Sequence, residues 1–346
     1  MTSPRPAVSV VIPCRNEERY IGPCLDSLLE CDYPLDRLEV LVVDGMSDDR
    51  TRDIVRQYAA DHSFIRLVDN PKRITPCAMN AGVLAALGDV IMPMGAHAVY
   101  TQRYISRLVE ALLETGADNV GGVLVTLPAD DTATARALAI ALSHPFGVGN
   151  SYFRIGARER RIVDTVPFGC YRKEVFQRIG LFDEELVRNQ DDELNGRLER
   201  AGGRIILVPE VESRYYARGS FGQVARMFFQ YGYFKPLAAW KVGRVTSLRQ
   251  VVPAAFVAGL AVTGLLAPWL AGARWLGAGI VGSYAALVVG IALAAAVRHG
   301  PRCAAALAAA FPVLHVSYGL GFLTALAHRA VGRRGTPNAA AVPLSR

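Results

Sequence analysis

Apolar residues in the first hundred positions form short, uninterrupted runs that alternate with amphipathic stretches. The runs at 8–12, 38–43, 64–68 and 89–92 are rich in β-branched residues and predict strands, and the stretches between them have helical spacing. Strands without a polar face that alternate with helices are typical of a parallel sheet covered on both faces. The pattern predicts an α/β, Rossmann-like fold, which binds ligands at the carboxyl ends of its strands.

Helices are predicted at 17–30 and 49–61 from the spacing of their apolar residues. A third helix has Thr75 as its predicted N-cap and Pro76 at its first position, and Gly88 lies just past its end. These signals complete the strand–helix alternation of the first part of the chain.

The pattern changes after Arg249, where three long apolar stretches follow at 251–273, 275–297 and 304–327. Each has about the ~20 residues that a helix needs to cross a hydrocarbon core. They show almost no polar face, which a helix on the surface of a soluble domain would have. We therefore predict about three transmembrane helices; the alternative is an Ala-rich helical core.

Charge divides the chain at the same place. Residues 1–212 contain 24 Lys and Arg and 31 Asp and Glu, whereas residues 213–346 contain 14 basic residues and no acidic one. The basic and aromatic stretch at 219–250 is typical of helices in a lipid headgroup layer. Its alternative interpretation is a core helix packed on the soluble domain.

These features predict four parts. They are a cytosolic domain at 1–218, interface helices at 219–250, transmembrane helices at 251–330 and a basic tail at 331–346. The N-terminus lacks the apolar core of a signal peptide, so we expect the soluble half in the cytosol and the protein in the inner membrane. Basic residues flank all three spans, so the positive-inside rule leaves the side of the C-terminus open.

The six cysteines have no C-x-x-C spacing and no His-rich neighbours, which argues against a zinc site or a disulfide framework. The polar residues after the strands are more informative. Carboxylates (Glu17, Asp44, Asp49) and cations (Lys72, Arg73) follow three successive strands, and a Gly-rich phosphate loop is absent from the sequence. A carboxylate can accept from the ring N–H of a base, and an Arg fork suits phosphate, so the edge predicts a nucleotide site. The alternative is that they only form turns and caps.

A second acidic group opens a predicted helix that runs to about Ala201. Asp191, Asp192 and Glu193 are more acids than a cap requires, although the helix macrodipole favours negative charge there. A carboxylate at this position that faced the ligand edge could remove a proton from an incoming hydroxyl group.

Five segments of the sequence form a recognisable set. They are VSVVIP with Asn16 and Glu17, VVD with Ser47 and Asp49, Asn80 to Gly82, GDVI at 88–91, and QDDEL with Arg197. Together they resemble the family 2 inverting glycosyltransferases of GT-A fold, over residues 6–235. Three shorter segments, at 96–98, 163–169 and 188–194, are similar to the membrane-associated glucosyltransferases of succinoglycan-type exopolysaccharide assembly.

The resemblance implies a single in-line displacement at the anomeric carbon. Asp191 would be the catalytic base, Asp44 would contact the uracil edge, Arg73 the base or phosphates, and Asn80 the ribose or sugar. The residues implied to bind the nucleotide sugar are Pro13, Glu17, Asp44, Asp49, Arg73, Asn80 and Ala96, and those implied on the acceptor side are Asp164, Asp192 and Arg197.

The chain departs from the family at one motif. The family binds a divalent cation, Mn²⁺ or Mg²⁺, through an Asp-x-Asp after the fourth strand, and here those positions are Gly95 and His97. His97 is left as a single candidate ligand, and its imidazole favours Mn²⁺. The missing carboxylate predicts that Gly95→Asp raises metal-dependent activity.

We expect an enzyme that moves a hexose, implied to be glucose from UDP-glucose, onto a polyprenyl-diphosphate-linked saccharide at a membrane, with no nucleic-acid partner. One alternative is a polyprenyl-phosphate glycosyltransferase. Another is a nucleotide-binding scaffold weakened in catalysis, which only Gly95 supports. A processive synthase is disfavoured because a Gln-x-x-Arg-Trp motif is absent from the sequence.

Overall fold

The computed structural model describes residues 5–245 and 247–331, and most of the predicted basic tail lies outside them. The described residues divide into two compact units: residues up to 125 with 152–215, and residues 126–151 with those from 216 onward. The strands are β1 Val8–Cys14, β2 Leu38–Asp44, β3 Ile65–Asp69, β4 Val90–Pro93, β5 Ala98–Tyr100, β6 Asn119–Leu127, β7 Arg161–Ile162, β8 Cys170–Arg172 and β9 Ile205–Tyr216. The helices are α1 Ile21–Leu29, α2 Thr51–Asp61, α3 Thr75–Ala85, α4 Tyr104–Thr115, α5 Ala133–Leu142, α6 Pro145–Val148, α7 Tyr152–Ile155, α8 Lys173–Ile179, α9 Gln190–Arg200, α10 Phe221–Val242, α11 Val252–Leu266, α12 Ala271–His299 and α13 Pro301–Ala330.

The strands form one mixed sheet in the order β3-β2-β1-β4-β8-β6-β9-β5, with β7 on β9. β1 pairs in parallel with both β2 and β4, so the sequence order of the strands reverses between β1 and β4. β8 runs antiparallel to β4 and to β6. The carboxyl ends of β1 to β4 therefore meet at one edge, with a switch point between β1 and β4 where ligands commonly bind.

Alternate residues of the central strands enter two separate hydrophobic cores. Val10 and Ile12 of β1 pack on the face covered by α1, α2 and α4, whereas Val11 packs on the face covered by α3, α8 and α9. Every one of these three side chains is fully buried. The predicted sheet with apolar strands covered on both faces is confirmed.

Two details of α3 differ from the sequence analysis. Its N-cap is Ile74, so Thr75 is the first helical residue, and no side chain caps the helix. The helix ends at Ala85, so Gly88 does not terminate it. A Cβ at Gly88 would lie 2.8 Å from the Ala7 carbonyl oxygen and the Ser9 nitrogen, so a glycine is required there by the close approach of β1.

In the described part of the second unit, three helices are long and apolar enough to cross a membrane. These candidate spans are Leu248–Leu266, Ala271–His299 and Pro301–Ala330. They agree with the prediction of about three transmembrane helices.

Helix α10 is one continuous helix where the sequence predicted several interface helices, and it packs along α13. The two helices approach at glycines, because a Cβ at Gly232 would meet the Tyr318 carbonyl and one at Gly321 would meet the Phe229 carbonyl. Small residues at such crossings are common between membrane helices. Placement of α10 in the headgroup layer stays a prediction.

Residues 126–151 pack with the C-terminal helices, whereas the sequence analysis assigned them to the soluble domain. Leu138 and Leu142 of α5 share a core with Leu307 and Phe311 of α13. The ring of His315 also bonds through Nε2 to the Phe146 carbonyl oxygen at 2.8 Å. Helix α5 is an Ala-rich helix of ten residues, and its composition resembles that of the apolar C-terminal helices. This resemblance explains why it packs with them and not with the sheet.

Candidate active site

The loops after β1 and β2 are joined by hydrogen bonds. The Asn16 N–H donates to Ser47 Oγ at 2.8 Å, and the Asp48 N–H donates to Asn16 Oδ1 at 3.0 Å. The Glu17 N–H donates to Thr51 Oγ1 at 2.7 Å, at the start of α2. Asn16 adopts a left-handed backbone conformation, with a φ of 55°, which asparagine tolerates. The two loops therefore form one rigid part of the edge.

Asp44, the predicted reader of the uracil edge, lies buried at the end of β2. Its Oδ2 accepts from the Ser47 N–H at 2.9 Å and from Arg52 Nη1 at 2.8 Å. Its Oδ1 accepts from Ser47 Oγ and lies 3.7 Å from Cys14 Sγ. A carboxylate offers about four acceptor sites, and all are in use. A base could bond to Asp44 only if one of these donors moved away.

Asp49 serves the turn that begins α2, as the alternative interpretation stated. Its Oδ1 accepts from Thr51 Oγ1 at 2.6 Å and from the Thr51 N–H at 3.0 Å. Burial acts to raise the pKa of Asp49, but these bonds and that from the Glu18 N–H lower it below its ordinary value. The predicted contact between Asp49 and a nucleotide sugar has no support in this geometry.

Glu17 and His97 meet across the switch point between β1 and β4. His97 Nε2 lies 2.8 Å from Glu17 Oε1, and their side chains are 34% and 14% exposed. The ring of Tyr20 packs against His97 with 4.7 Å between ring centroids. The structure thus brings together a predicted nucleoside-pocket residue and the predicted metal ligand. Among the described residues, no group of three or more His, Cys, Asp or Glu side chains could hold a metal ion.

Gly95 has an aromatic ring where an aspartate would need space. A Cβ at Gly95 would lie 2.8 Å from Cε1 of Phe168, closer than real carbon contacts allow. The Gly95 N–H donates to Tyr100 Oη at 2.8 Å, which holds the backbone in place. An aspartate at position 95 would therefore require the Phe168 ring to shift, and a gain in metal-dependent activity from Gly95→Asp stays a prediction.

We predict that Gly95→Asp and Gly95→Ala both destabilise the protein, by about 1–3 kcal/mol, because the added Cβ overpacks against Phe168. Gly95→Ala is the steric control without a carboxylate. Combined with Phe168→Ala, the Gly95→Asp change should cost less than the sum of the single changes, which thermal unfolding in a double-mutant cycle measures. Strict additivity would show that the ring does not restrict position 95.

The thiols at this edge are not nucleophiles. Burial raises the pKa of Cys14 well above its ordinary value, and the negative charges of Asp44 and Glu17 raise it further. Burial and Glu17 likewise raise the pKa of Cys24 to about 12. Because a thiol attacks as its thiolate, both groups stay protonated and inert at neutral pH.

The two cations after β3 have different surroundings. Lys72 Nζ pairs with Glu184 Oε2 at 2.5 Å, which raises the pKa of Lys72. Arg73 has a left-handed backbone, with a φ of 61°, and an exposed side chain. In the part of the chain that the structure describes, Arg73 forms no ion pair, so its guanidinium is available to phosphate.

Asn80 has a structural contact in place of the predicted contact with a ribose or sugar. Its Oδ1 accepts from the Phe182 N–H at 2.9 Å, and its Nδ2 donates to the Phe182 carbonyl at 2.9 Å. The amide is buried and both of its ends are used, so Asn80 fixes the segment that leads toward α9.

Contacts on both sides of Asp191 locate the first turn of α9. Before it, Asn80 and Lys72 hold the segment 182–184 next to the carboxyl end of β3. After it, Asn195 Nδ2 donates to Thr165 Oγ1 at 2.9 Å, in the loop that leads into β8. Phe168 of the same loop packs on Gly95. These contacts tie the segments on either side of Asp191 to the residues that follow β3 and β4.

The carboxylates of this turn differ in exposure. Asp191 is exposed and Asp192 is half-buried, and the Asp192 N–H donates to Asp191 Oδ1 at 3.0 Å. The pKa of the buried Tyr171 phenol in β8 is raised by burial and next by the charge of Asp191. The Asp191 charge is therefore close enough to the Tyr171 phenol to affect it.

Arg197, predicted on the acceptor side, is instead a structural residue. Its Nε lies 2.6 Å from Oε1 of the buried Glu193, and Nη2 lies 2.9 Å from Oε2. The other guanidinium bonds go to the carbonyl oxygens of Ile179 and Leu181. Four of its five N–H donors are thus used within the protein. Asp164 is half-buried beside Thr165 in the loop before β8.

Of the remaining predicted residues, Pro13 is half-buried in β1 opposite Val43, and Ala96 is buried beside His97. The sequence analysis missed Arg15, whose side chain lies over Gly45: a Cβ there would sit 3.2 Å from Arg15 Cβ and Cδ. Its Nε is buried without a hydrogen-bond partner among the described residues. Its position directly after β1 was the only available signal.

The sequence is similar to that of known glycosyltransferases. The profile of Glycosyl transferase family 2 matches residues 9–180. Succinoglycan biosynthesis protein ExoA of Rhizobium meliloti (strain 1021) is 33% identical over 319 residues, covering 90% of this chain and 93% of ExoA. Dolichyl N-acetyl-alpha-D-glucosaminyl phosphate 3-beta-D-2,3-diacetamido-2,3-dideoxy-beta-D-glucuronosyltransferase of Methanococcus voltae is 31% identical over 238 residues, covering 66% of this chain and 73% of that protein.

A solved structure has the same architecture. Mannosyltransferase PcManGT from Pyrobaculum calidifontis, in complex with GDP-Man and Mn²⁺, superimposes with a TM-score of 0.58 at 22% identity, covering 92% of this chain and 87% of that chain. At this identity the likeness concerns the fold alone. With the sheet order described above, it confirms the predicted GT-A fold class.

Proposed function

Because the chain belongs to glycosyl transferase family 2, we propose that it moves a hexosyl group, with inversion, from a nucleotide sugar to a lipid-linked saccharide. The observation that carries this proposal is the pairing of Glu17 with His97 at the ends of adjacent parallel strands. We place the Asp191 carboxylate at the same edge, and the contacts of the segments on either side of it support that position. Carboxylate, imidazole and guanidinium groups at the ends of parallel strands suit a nucleoside diphosphate.

In the proposed reaction, the carboxylate of Asp191 accepts the proton of an acceptor hydroxyl. The hydroxyl oxygen attacks the anomeric carbon from the face opposite the diphosphate, a C–O bond forms, and the bond to the diphosphate oxygen breaks. The nucleoside diphosphate leaves with the bonding electrons, and the anomeric configuration inverts. Asp191 is exposed to solvent, and its position is what suits it to act as the base.

Cationic groups are needed where the diphosphate leaves. The exposed guanidinium of Arg73 suits a phosphate oxygen, and Arg15 can supply a second positive charge beside β2. A divalent cation, when bound, would neutralise the charge that develops on the leaving diphosphate. Glu17 and His97 have the donor atoms that could hold it.

A lipid-linked acceptor is supported by the second unit and by the relatives. Three candidate spans would keep the catalytic unit at the membrane, and we place that unit on the cytosolic face of the inner membrane. ExoA is named for succinoglycan biosynthesis, and the relative from Methanococcus voltae is named for a dolichyl-linked phosphate acceptor. Within this class we propose UDP-glucose as donor and a polyprenyl-diphosphate saccharide as acceptor.

The experiment supplies the full chain in detergent with UDP-glucose and polyprenyl diphosphate that carries one hexose. We expect transfer of glucose and a β-linked product, determined from the anomeric coupling constant by proton NMR. An α-linked product would contradict inversion. Equal or faster transfer to polyprenyl monophosphate would favour the polyprenyl-phosphate alternative over the diphosphate acceptor.

The scaffold alternative is favoured by one observation, the loss of the first metal-binding position at Gly95. It predicts that UDP binds, measured by isothermal titration, while no donor sugar among a panel of UDP- and GDP-hexoses is transferred or hydrolysed. Turnover of any of these donors would exclude it.

A further inference from the structure

We propose that Oε1 of Glu17 and Nε2 of His97 are the two protein ligands of a divalent cation that binds the diphosphate of the donor. The carboxylate that the family supplies at position 95 would thus come from the β1 loop. The inference rests on the proposed function, because donor oxygens complete the coordination shell.

The distance between the two atoms fits this role. Adjacent ligands of an octahedral cation at about 2.1 Å are separated by roughly 3 Å. Glu17 Oε1 and His97 Nε2 are 2.8 Å apart, so a cation could bind both after small shifts. Binding would replace the proton on Nε2, which would pass to solvent, since only the neutral ring nitrogen is a ligand.

The position in the fold also fits. Glu17 follows β1 and His97 follows β4, and these adjacent parallel strands form the switch point of the sheet. The pairing of β4 with β1 ends at Val11 and Pro93, before Glu17 and His97 are reached, at the edge where a diphosphate could enter. With two protein ligands, coordination positions remain for phosphate oxygens and water, as is usual for cations at phosphates.

Gly95 has no side chain that could bind a cation, whereas Glu17 and His97 are held in place. The ring of Phe168 fills the space beside Gly95. The Glu17 N–H is fixed by Thr51 Oγ1, and the Glu17 carbonyl accepts from the Tyr20 N–H at 2.9 Å. Tyr20 in turn packs on the His97 ring. A site with fixed ligands loses little entropy when the cation binds.

The donor chemistry favours one metal. An imidazole with a carboxylate suits Mn²⁺ better than Mg²⁺, which prefers oxygen ligands alone. The simple competing explanation is a surface ion pair between Glu17 and His97, which would contribute little to stability. The two explanations differ in what happens when UDP and Mn²⁺ are present together.

The test measures UDP binding by the full chain in detergent, with Mn²⁺ or with EDTA. For the wild-type protein we expect Mn²⁺ to tighten UDP binding by about tenfold, a typical coupling between two ligands. Glu17→Gln keeps the shape of the side chain and an acceptor for His97, and it should lose most of that gain, measured as the ratio of its own UDP affinities in Mn²⁺ and in EDTA. The matched control is Glu18→Gln, an exposed neighbouring carboxylate, which should keep the gain.

Pulsed electron paramagnetic resonance of Mn²⁺ with UDP gives a second readout. We expect ¹⁴N modulation from the imidazole in the wild-type protein and its loss in His97→Asp, which should also shift preference toward Mg²⁺. This variant keeps the inference falsifiable if Glu17→Gln fails to fold.

Several results would overturn the inference. The first is a Glu17→Gln protein whose UDP affinity rises with Mn²⁺ as much as that of the wild-type protein. The second is a wild-type protein whose UDP affinity does not change with Mn²⁺. The third is absence of ¹⁴N modulation in the wild-type protein. In each of these cases UDP still binds and the proposed function stands. If UDP binds under neither condition, the proposed function fails and the inference fails with it.

Discussion

Asp191→Asn should reduce hexosyl transfer by about 10²- to 10⁴-fold, the usual contribution of a positioned general base. Asparagine has the same shape but cannot accept the proton of the acceptor hydroxyl. Because Asp191 is exposed and its neighbours hold α9 through Asn195 and Thr165, the fold should persist. Steady-state transfer from UDP-glucose and isothermal titration of UDP measure the two quantities, and we expect the affinity for UDP to stay within about twofold.

The matched control is Glu199→Gln, which makes the same charge change in the last turn of α9. It should leave both transfer and UDP binding intact. If Asp191→Asn loses UDP binding together with transfer, Asp191 is structural; if it retains transfer, another group is the base.

Arg197→Ala should destabilise the catalytic unit by about 3–5 kcal/mol, the cost of leaving a buried charge without its partner. Glu193 has a side chain only 3% exposed and would lose both bonds to the guanidinium. The carbonyl oxygens of Ile179 and Leu181 would lose their donor as well. The measurement is the denaturant dependence of unfolding of the full chain in detergent.

Two companion variants separate the possible causes. Arg200→Ala removes an exposed arginine from the end of the same helix and should cost little. Glu193→Gln combined with Arg197→Met removes both charges and should recover much of the loss. If Arg197→Ala had a small effect on the free energy of unfolding and a large effect on the KM for the acceptor, the result would support the predicted role of Arg197 on the acceptor side.

The edge of the sheet could be predicted from sequence because its signals are local. Continuous apolar runs identify buried parallel strands, and the residues that follow them must share an edge. That reasoning identified Glu17, and the family's Asp-x-Asp motif identified His97; the two side chains do meet. It did not foresee their contact, since no local pattern specifies which side chains of two loops face each other.

The roles of Asp49, Asn80 and Arg197 could not be separated from ligand binding by sequence. A motif fixes the residue type but not the direction in which a polar side chain points. In the structure Asn80 bonds to the Phe182 backbone and Arg197 to Glu193, so both hold the segments on either side of Asp191. Such residues support the site without touching a ligand.

Gly95 illustrates a contact that sequence reasoning could not see. The residue that fills its space, Phe168, is distant in sequence and approaches through the antiparallel pairing of β4 with β8. The missing carboxylate was visible in the sequence, but the closed space was not. Residues 126–151 are a second case, because their packing against α13 follows from tertiary contacts alone.

The most direct test of the account is an experimental structure of the full chain with UDP and Mn²⁺. The account predicts the diphosphate at the carboxyl ends of β1 and β4, the cation against Glu17 and His97, and the Asp191 carboxylate facing the same cavity. UDP bound at the opposite edge of the sheet, or Asp191 turned away from the diphosphate, would contradict it.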